Sequence, residues 1–130
     1  MGLAWAGSSA DAIRRAASEL VATQRADGGW GQREEMTTDA YATGLAMFAL
    51  RESGALTATA AAVQKGSKYL LSTQRADGSW YVPSRSPKFQ PYFEGGFPYG
   101  PDQWISSMAT GWATAALAST QQETMTKTGR

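Results

Sequence analysis

Residues 24–30 read Gln-Arg-Ala-Asp-Gly-Gly-Trp, and residues 74–80 read Gln-Arg-Ala-Asp-Gly-Ser-Trp. The two copies agree at six of seven positions and are 74 − 24 = 50 residues apart. A fixed period of about 50 residues is typical of stacked supersecondary units. We therefore interpret the 130-residue chain as two structural repeats, at about 10–54 and 58–120, followed by a polar tail at 121–130 that we expect to be disordered.

Helical patterns flank the first copy on both sides. The segment of about 11–24 has apolar residues on one face only, and Ser9 is suited to cap its start. The segment of about 38–53 is apolar or small on all sides, which indicates a buried helix, with Thr37 or Thr38 as its cap.

The same pair of helices returns after the second copy. The segment of about 59–73 is amphipathic, and the segment of about 103–119 is again apolar or small nearly all round. Ala-Thr-Gly at 42–44 matches Ala-Thr-Gly at 109–111, a shift of 67 residues. The second repeat therefore contains 67 − 50 = 17 extra residues. This order predicts an all-α fold with amphipathic outer helices and apolar inner helices.

The repeated motif has a structural interpretation. Gln24 and Gln74 lie at the ends of outer helices, where an amide group can bond free helix carbonyls or reach the start of a neighbouring helix. Trp30 and Trp80 follow a turn that Asp27 and Asp77 favour, and their indole N–H groups need a partner. These six residues are expected to fasten one repeat to the next.

The pattern Gln-x-x-Asp-Gly-x-Trp resembles the QW motif of squalene-hopene and oxidosqualene cyclases, and a related repeat occurs in protein prenyltransferase β-subunits. The resemblance covers about residues 10–120. It implies an (α/α) toroid, of which this chain would form a part with two helical hairpins. It also implies that Gln24, Trp30, Gln74 and Trp80 stabilise the fold.

The catalytic signatures of these families do not match. Class II cyclases use an Asp-rich D-x-D-D motif, and no two aspartates of this chain are that close. Protein prenyltransferases bind zinc through Asp, Cys and His, and the chain contains neither Cys nor His. That composition also removes imidazole and thiolate chemistry and the usual zinc ligands, and it leaves only carboxylates, which suit Mg²⁺ or Ca²⁺ better. We expect no cofactor and assign no metal site.

Charge and hydropathy narrow the partners further. The net charge is +1 and no basic stripe is present, which argues against nucleic acid. No segment is long and apolar enough to span a membrane, and residues 1–7 do not resemble a signal peptide. The sequence predicts a soluble chain and leaves its compartment open.

The extra residues of the second repeat form an insert at about 81–104 that contains all five prolines and many aromatic residues. Connections of this length are often functional. One hypothesis is a rim that binds an apolar molecule or a glycan. The alternative is an ordered loop whose aromatic rings seal the helix ends and pack on Trp112, with Asp102 as a helix cap. The predicted ligand-binding residues are Tyr81, Arg85, Phe89, Tyr92, Phe93, Phe97, Tyr99 and Trp104.

Three functions follow from these observations. The first is a toroid segment without self-contained catalysis, the C-terminal fragment of a larger toroid, completed by a homodimer or by the repeats it lacks. The second is a cyclase-like or polysaccharide-lyase-like enzyme in which Glu94 and Asp102 would be the catalytic carboxylates. The third is a protein-interaction toroid.

Overall fold

The computed structural model describes residues 1–87 and 93–128, with side chains described as far as Gln121. The described residues contain five α-helices and no β-strand, apart from one isolated bridge between Gly31 and Thr38. The all-α prediction is confirmed. The helices are α1 Gly2–Trp5, α2 Ala10–Ala22, α3 Ala40–Glu52, α4 Ala61–Thr73 and α5 Gln103–Thr128, and a 3₁₀ turn at Gly100–Asp102 precedes α5.

Helices α3 and α5 form the inner layer and pack closely on each other. The contact depends on Gly44, because a Cβ atom there would lie 2.6 Å from Ala113 N and 2.7 Å from the carbonyl carbon of Trp112. Two helix backbones approach this closely only where a side chain is missing. Beside this contact, the rings of Phe48 and Trp112 lie 5.4 Å apart.

Helices α2 and α4 form the outer layer and turn one face to the core. Val63 and Leu70 of α4 are fully buried, and Leu20 and Val21 of α2 pack against the same core with partial exposure. The predicted order of outer and inner helices is therefore confirmed. The core cluster consists of Trp30, Ala40, Ala42, Ala46, Met47, Leu50, Ala62, Val63, Leu70, Trp80, Val82, Ala109, Ala113 and Ala116.

Helix α2 begins as predicted, whereas α3 begins later than predicted. The Ser9 hydroxyl accepts from Ala12 N at 3.3 Å, which confirms the cap of α2. At α3 the cap is Asp39, whose carboxylate accepts from Ala42 N at 2.8 Å. The prediction of Thr37 or Thr38 was wrong, because Thr38 is held in the bridge to Gly31 and its backbone cannot start a helix.

Helix α5 differs from its prediction in length and in burial. It continues to Thr128, beyond the predicted end at Ser119, because no glycine or proline occurs between Gly111 and Gly129. It was also expected to be buried nearly all round, but Trp104 is 58% exposed and Met108 is 50% exposed. One face of α5 packs on α3, and no described residue covers the other face.

Candidate functional site

The first copy of the motif joins the two repeats. Gln24 Nε2 donates to Gly28 O at 2.7 Å within its own turn and to Ala62 O at 2.8 Å in the first turn of α4. The side chain thus reaches the start of the next outer helix, as the sequence suggested. In the second copy Gln74 Nε2 donates to Gly78 O at 2.9 Å, its one hydrogen bond among the described residues.

The aspartates of both copies shape the turn. Asp27 Oδ1 accepts from Gly29 N at 3.0 Å, and Asp77 Oδ1 accepts from Ser79 N at 3.0 Å. The Ser79 hydroxyl adds a second bond to Asp77 at 2.6 Å. These hydrogen bonds from Ser79 favour the carboxylate, so the pKa of Asp77 lies below its ordinary value. Both carboxylates are therefore engaged in local turns.

The tryptophans fix each turn to its outer helix. Trp30 Nε1 donates to Leu20 O at 2.8 Å, and Trp80 Nε1 donates to Leu70 O at 2.9 Å. The same distance of ten residues separates donor and acceptor in both repeats. Each indole is 2% exposed, and its N–H has the partner that a buried polar group needs.

The inner helices hold the same turns from the other side. Thr43 Oγ1 accepts from Trp30 N at 3.0 Å, and Thr110 Oγ1 accepts from Trp80 N at 3.0 Å. These threonines belong to the two Ala-Thr-Gly segments that are 67 residues apart. The indole and threonine hydrogen bonds that hold the turn are therefore the same in both copies.

The insert is closed at its base by Asp102. Asp102 Oδ1 accepts from Ser84 N at 2.8 Å, and Asp102 Oδ2 accepts from Tyr81 OH at 2.9 Å. The hydrogen bond to Asp102 raises the pKa of Tyr81 above its ordinary value. Asp102 itself lies in the 3₁₀ turn before α5, where it ties the end of the insert to its beginning.

Three predicted aromatic residues of the insert lie together. The rings of Tyr81 and Tyr99 are 5.2 Å apart in an edge-to-face arrangement, and Phe97 lies 6.3 Å from Tyr99. Tyr99 has φ of 88°, which is unusual for a residue with a side chain. A hydrogen bond of 2.5 Å to the Ser79 hydroxyl holds it there.

An ion pair connects the insert to the first repeat. Arg85 Nη1 lies 2.7 Å from Asp39 Oδ2, and Arg85 Nη2 donates to Thr37 Oγ1 at 3.1 Å. Gln32 Nε2 also donates to Asp39 at 2.8 Å. The buried carboxylate of Asp39 thus caps α3, bonds its own loop and anchors the insert of the next repeat.

A cavity of about 310 Å³ opens between this ion pair, the end of α4 and the start of the insert. The lining includes Tyr69, Arg75, Trp80, Tyr81, Pro83 and Arg85. The Arg75 guanidinium stands 5.7 Å above the Tyr81 ring, so it offers a positive charge beside aromatic faces. Partial burial, and then the charges of Asp27 and Asp39, raise the pKa of Tyr69 to about 12.

The other predicted residues are placed elsewhere. Phe93 is 82% exposed, Trp104 lies on the exposed face of α5, and Glu94 Oε1 accepts from Gly96 N at 2.8 Å. Phe89 and Tyr92 lie outside the described residues. The ring of Trp112 packs on Phe48 of α3. Among the residues that the structure describes, the predicted set is thus divided between a cavity wall, a loop cluster and the surface.

Sequence reasoning missed Tyr69, Arg75 and Gln103. Gln103 is buried and grips the insert, since its Nε2 donates to Phe93 O at 2.9 Å and its Oε1 accepts from Gly95 N at 2.5 Å. The sequence signal for Gln103 was a glutamine at the start of an apolar helix. Arg75 belongs to the repeated motif, and its role depends on the insert that only the second repeat has.

Within residues 1–87 and 93–128, no group of three or more acidic, histidine or cysteine side chains is arranged to bind a metal ion. None of the described helices combines the length and apolar character that a membrane crossing requires.

The comparison with protein families places the chain. The model of the squalene-hopene cyclase C-terminal domain matches residues 2–100, which include both copies of the motif and most of the insert. None of the curated proteins matches the chain significantly. Because the match spans more than half of the sequence, the chain belongs to the squalene-hopene cyclase C-terminal domain family.

Proposed function

We propose that this member of the family is a terpenoid-cyclase-like repeat module without self-contained catalysis, which binds a small isoprenoid-like ligand beside its aromatic insert. The observation that carries the module is the bond from Gln24 to Ala62 O, by which the family motif of one repeat holds the next repeat. In both copies the Asp carboxylate and the Trp indole are occupied by bonds to the adjacent turn and outer helix. This favours a structural role for the motif.

The cavity supports the ligand-binding part of the proposal. Its volume of about 310 Å³ is at the lower end of what small-molecule sites usually have. Trp80, Tyr81 and Pro83 give it apolar walls, and Arg75 gives its rim a positive charge. Arg85 is paired with Asp39, whose carboxylate also lines the cavity. A ligand with an apolar chain and a polar or anionic head matches this lining. A glycan is the competing occupant, since aromatic faces beside hydrogen-bonding groups also suit sugars.

Binding can be measured through the tryptophan fluorescence of the chain, to which Trp80 of the cavity wall contributes, and through the melting temperature. The probes are farnesol, farnesyl phosphate and a cello-oligosaccharide, each titrated into the full chain. We expect farnesyl phosphate to bind more tightly than farnesol, because the rim is positive, and the oligosaccharide to have no effect. Arg75→Ala should weaken farnesyl phosphate at least fivefold, through loss of a charge at the rim.

Arg33→Ala is the matched control, because this exposed arginine lies in the first repeat away from the cavity lining. It should leave binding unchanged. If none of the isoprenoid probes shifts the fluorescence or the melting temperature, the ligand-binding proposal is wrong. If the oligosaccharide alone binds, the ligand class is wrong and the glycan replaces it.

A further inference from the structure

The first repeat shows how one repeat receives the next. Gln24 bonds the carbonyl of Ala62, and a Cβ atom on Gly28 would lie 2.7 Å from Lys65 O. On the inner layer, Gly44 admits the backbone of α5. An amide donor and two glycines therefore form the edge against which the second repeat packs.

The second repeat has the same edge, and no described residue covers it. Its equivalents are Gln74, Gly78 and Gly111, at the shifts of 50 and 67 residues. A Cβ atom on Gly78 or Gly111 would meet no described atom within 4 Å. The exposed side chains of Trp104 and Met108 lie on the same helix as Gly111. We call these five residues the open edge.

We propose that a second copy of this chain docks head to tail on the open edge through its α2–α3 hairpin, and that helix α1 is a displaceable cap on that hairpin. The inference rests on the repeat-module part of the proposed function and is independent of ligand binding. The two surfaces differ, so the contact is heterologous, and each copy keeps one edge for a further copy.

The first turn of α2 offers a carbonyl acceptor for Gln74, which among the described residues has no partner in a next repeat. A shift of 50 residues places Ala12 at the position of Ala62 and Arg15 at that of Lys65. A helix carbonyl has two lone pairs, so Ala12 O can accept from Gln74 of another copy while it stays in its own helix. The first turn of α2 is only partly buried in the single chain, which leaves it accessible.

Side-chain volumes favour a second copy's α2 in particular. Between the repeats of one chain, a Cβ atom on Gly66 would lie 2.5 Å from Met47 Sδ and 3.2 Å from Trp30 Cζ3, so a glycine suits the position beside the long methionine. At the junction between copies, the equivalent residues are Thr114 on the open edge and Ala16 on α2. The shorter threonine leaves room for the methyl group of the alanine. The two changes compensate each other.

Helix α1 occupies the place that the docking copy needs. Leu3-x-x-x-Gly7 repeats the pattern Leu50-x-x-x-Gly54 that ends α3, and the two glycines have φ of +72° and +69°. Leu3 lines a small cleft of about 80 Å³ together with residues of α2 and α3, among them Ala16 and Leu50. Thus α1 stands where the last turn of a preceding inner helix would lie.

Helix α1 is also weakly held. It has four residues, none of them buried, and Trp5 is 71% exposed. Release of α1 would expose the apolar side of α2. Helix α5 of another copy could then pack on that side. The cap thus weakens association of the full chain.

Sedimentation velocity over a range of concentrations tests the proposal on the full chain and on a variant without residues 1–7. We expect weak association of the full chain and at least tenfold tighter association once α1 is removed. Gly111→Leu should abolish association in both, whereas Lys68→Leu, an equally apolar change on the outer face of α4, should leave it unchanged. If the variant without α1 remains monomeric at the highest concentration, or associates no more tightly than the full chain, the proposal is wrong.

Mixing two variants that lack α1 tests the head-to-tail geometry. Gly111→Leu blocks the open edge, and Ala12→Glu blocks α2 while an acidic residue in its first turn favours the helix. Neither should associate alone, and the mixture should form a 1:1 dimer and nothing larger. A symmetric contact through α5 would instead let the Ala12→Glu variant dimerise on its own, which would overturn the proposal.

Folding is checked by circular dichroism. Thr114→Glu places a charge beside Gly111 at an exposed position that tolerates it, and it should also abolish association. Farnesyl phosphate binding should persist in every variant. Loss of association with ligand binding retained separates this inference from the proposed function.

Discussion

The substitutions Gly44→Ala and Gly111→Ala add the same methyl group at equivalent positions of α3 and α5, and we expect them to change stability in opposite directions. At Gly44 the new Cβ would lie 2.6 Å from Ala113 N, a backbone atom that cannot rotate away. Overpacking costs about 3 kcal/mol at the upper end of the usual range. The higher helix propensity of alanine offsets about 1 kcal/mol. The net loss at Gly44 is therefore about 2 kcal/mol.

At Gly111 only the gain in helix propensity remains, because a Cβ atom there meets no described atom within 4 Å. Gly111→Ala should stabilise the chain by up to about 1 kcal/mol. The two variants should then differ by about 3 kcal/mol, or by about 10–15 °C in melting temperature for a domain of this size. Urea unfolding at low protein concentration measures the difference. Equal effects, or destabilisation by Gly111→Ala, would refute the inequivalence of the two edges.

Three further outcomes are expected. Gln24→Ala removes two hydrogen bonds and should lower the free energy of unfolding in urea by about 1–3 kcal/mol. Gln74→Ala removes one hydrogen bond and should lower it by about 0.5–1.5 kcal/mol. Equal losses would mean that the bond to the next repeat contributes nothing. The folded-state pKa of Tyr69, about 12, exceeds its ordinary value of 10.0, so its contribution is present below pH 10 and lost as pH rises through 12. Tyr69→Phe should therefore flatten the fall in melting temperature between pH 10 and 12, and an unchanged slope would contradict this. Asp102→Asn should lower the pKa of Tyr81 towards its ordinary value, which an ultraviolet titration of the phenol measures. Tyr81→Phe identifies the signal of this residue. An unchanged titration would show that the hydrogen bond between Tyr81 and Asp102 is not formed in solution.

The sequence predicted the repeat architecture because each part of it depends on local chemistry that occurs twice. The motif gives a turn, a glutamine and a tryptophan at fixed positions, and the Ala-Thr-Gly segments supply the threonines that bond the turns. The periodicity of apolar residues separates outer from inner helices. These features act over short distances, so the residue pattern contains them.

Features that depend on neighbouring elements were not predicted. The cap of α3 is Asp39 and not Thr37 or Thr38, because Thr38 pairs with Gly31. The exposed face of α5 follows from what packs beside the helix, and its own residues resemble those of a helix buried on all sides. The cavity joins Tyr69 of α4 with Arg85 of the insert, and the ion pair from Arg85 to Asp39 crosses between the repeats.

The second repeat covers the edge of the first, whereas no described residue packs against the equivalent edge of the second repeat. Because the chain contains no cysteine, one introduced thiol at a time can be followed with a thiol reagent. Met47 is fully buried, and its equivalent Thr114 is exposed. At low protein concentration we expect Thr114→Cys to react at nearly the rate of an unfolded peptide and Met47→Cys to react at least about 10³-fold more slowly, which corresponds to about 4 kcal/mol of local opening. Similar protection of both thiols would contradict the account.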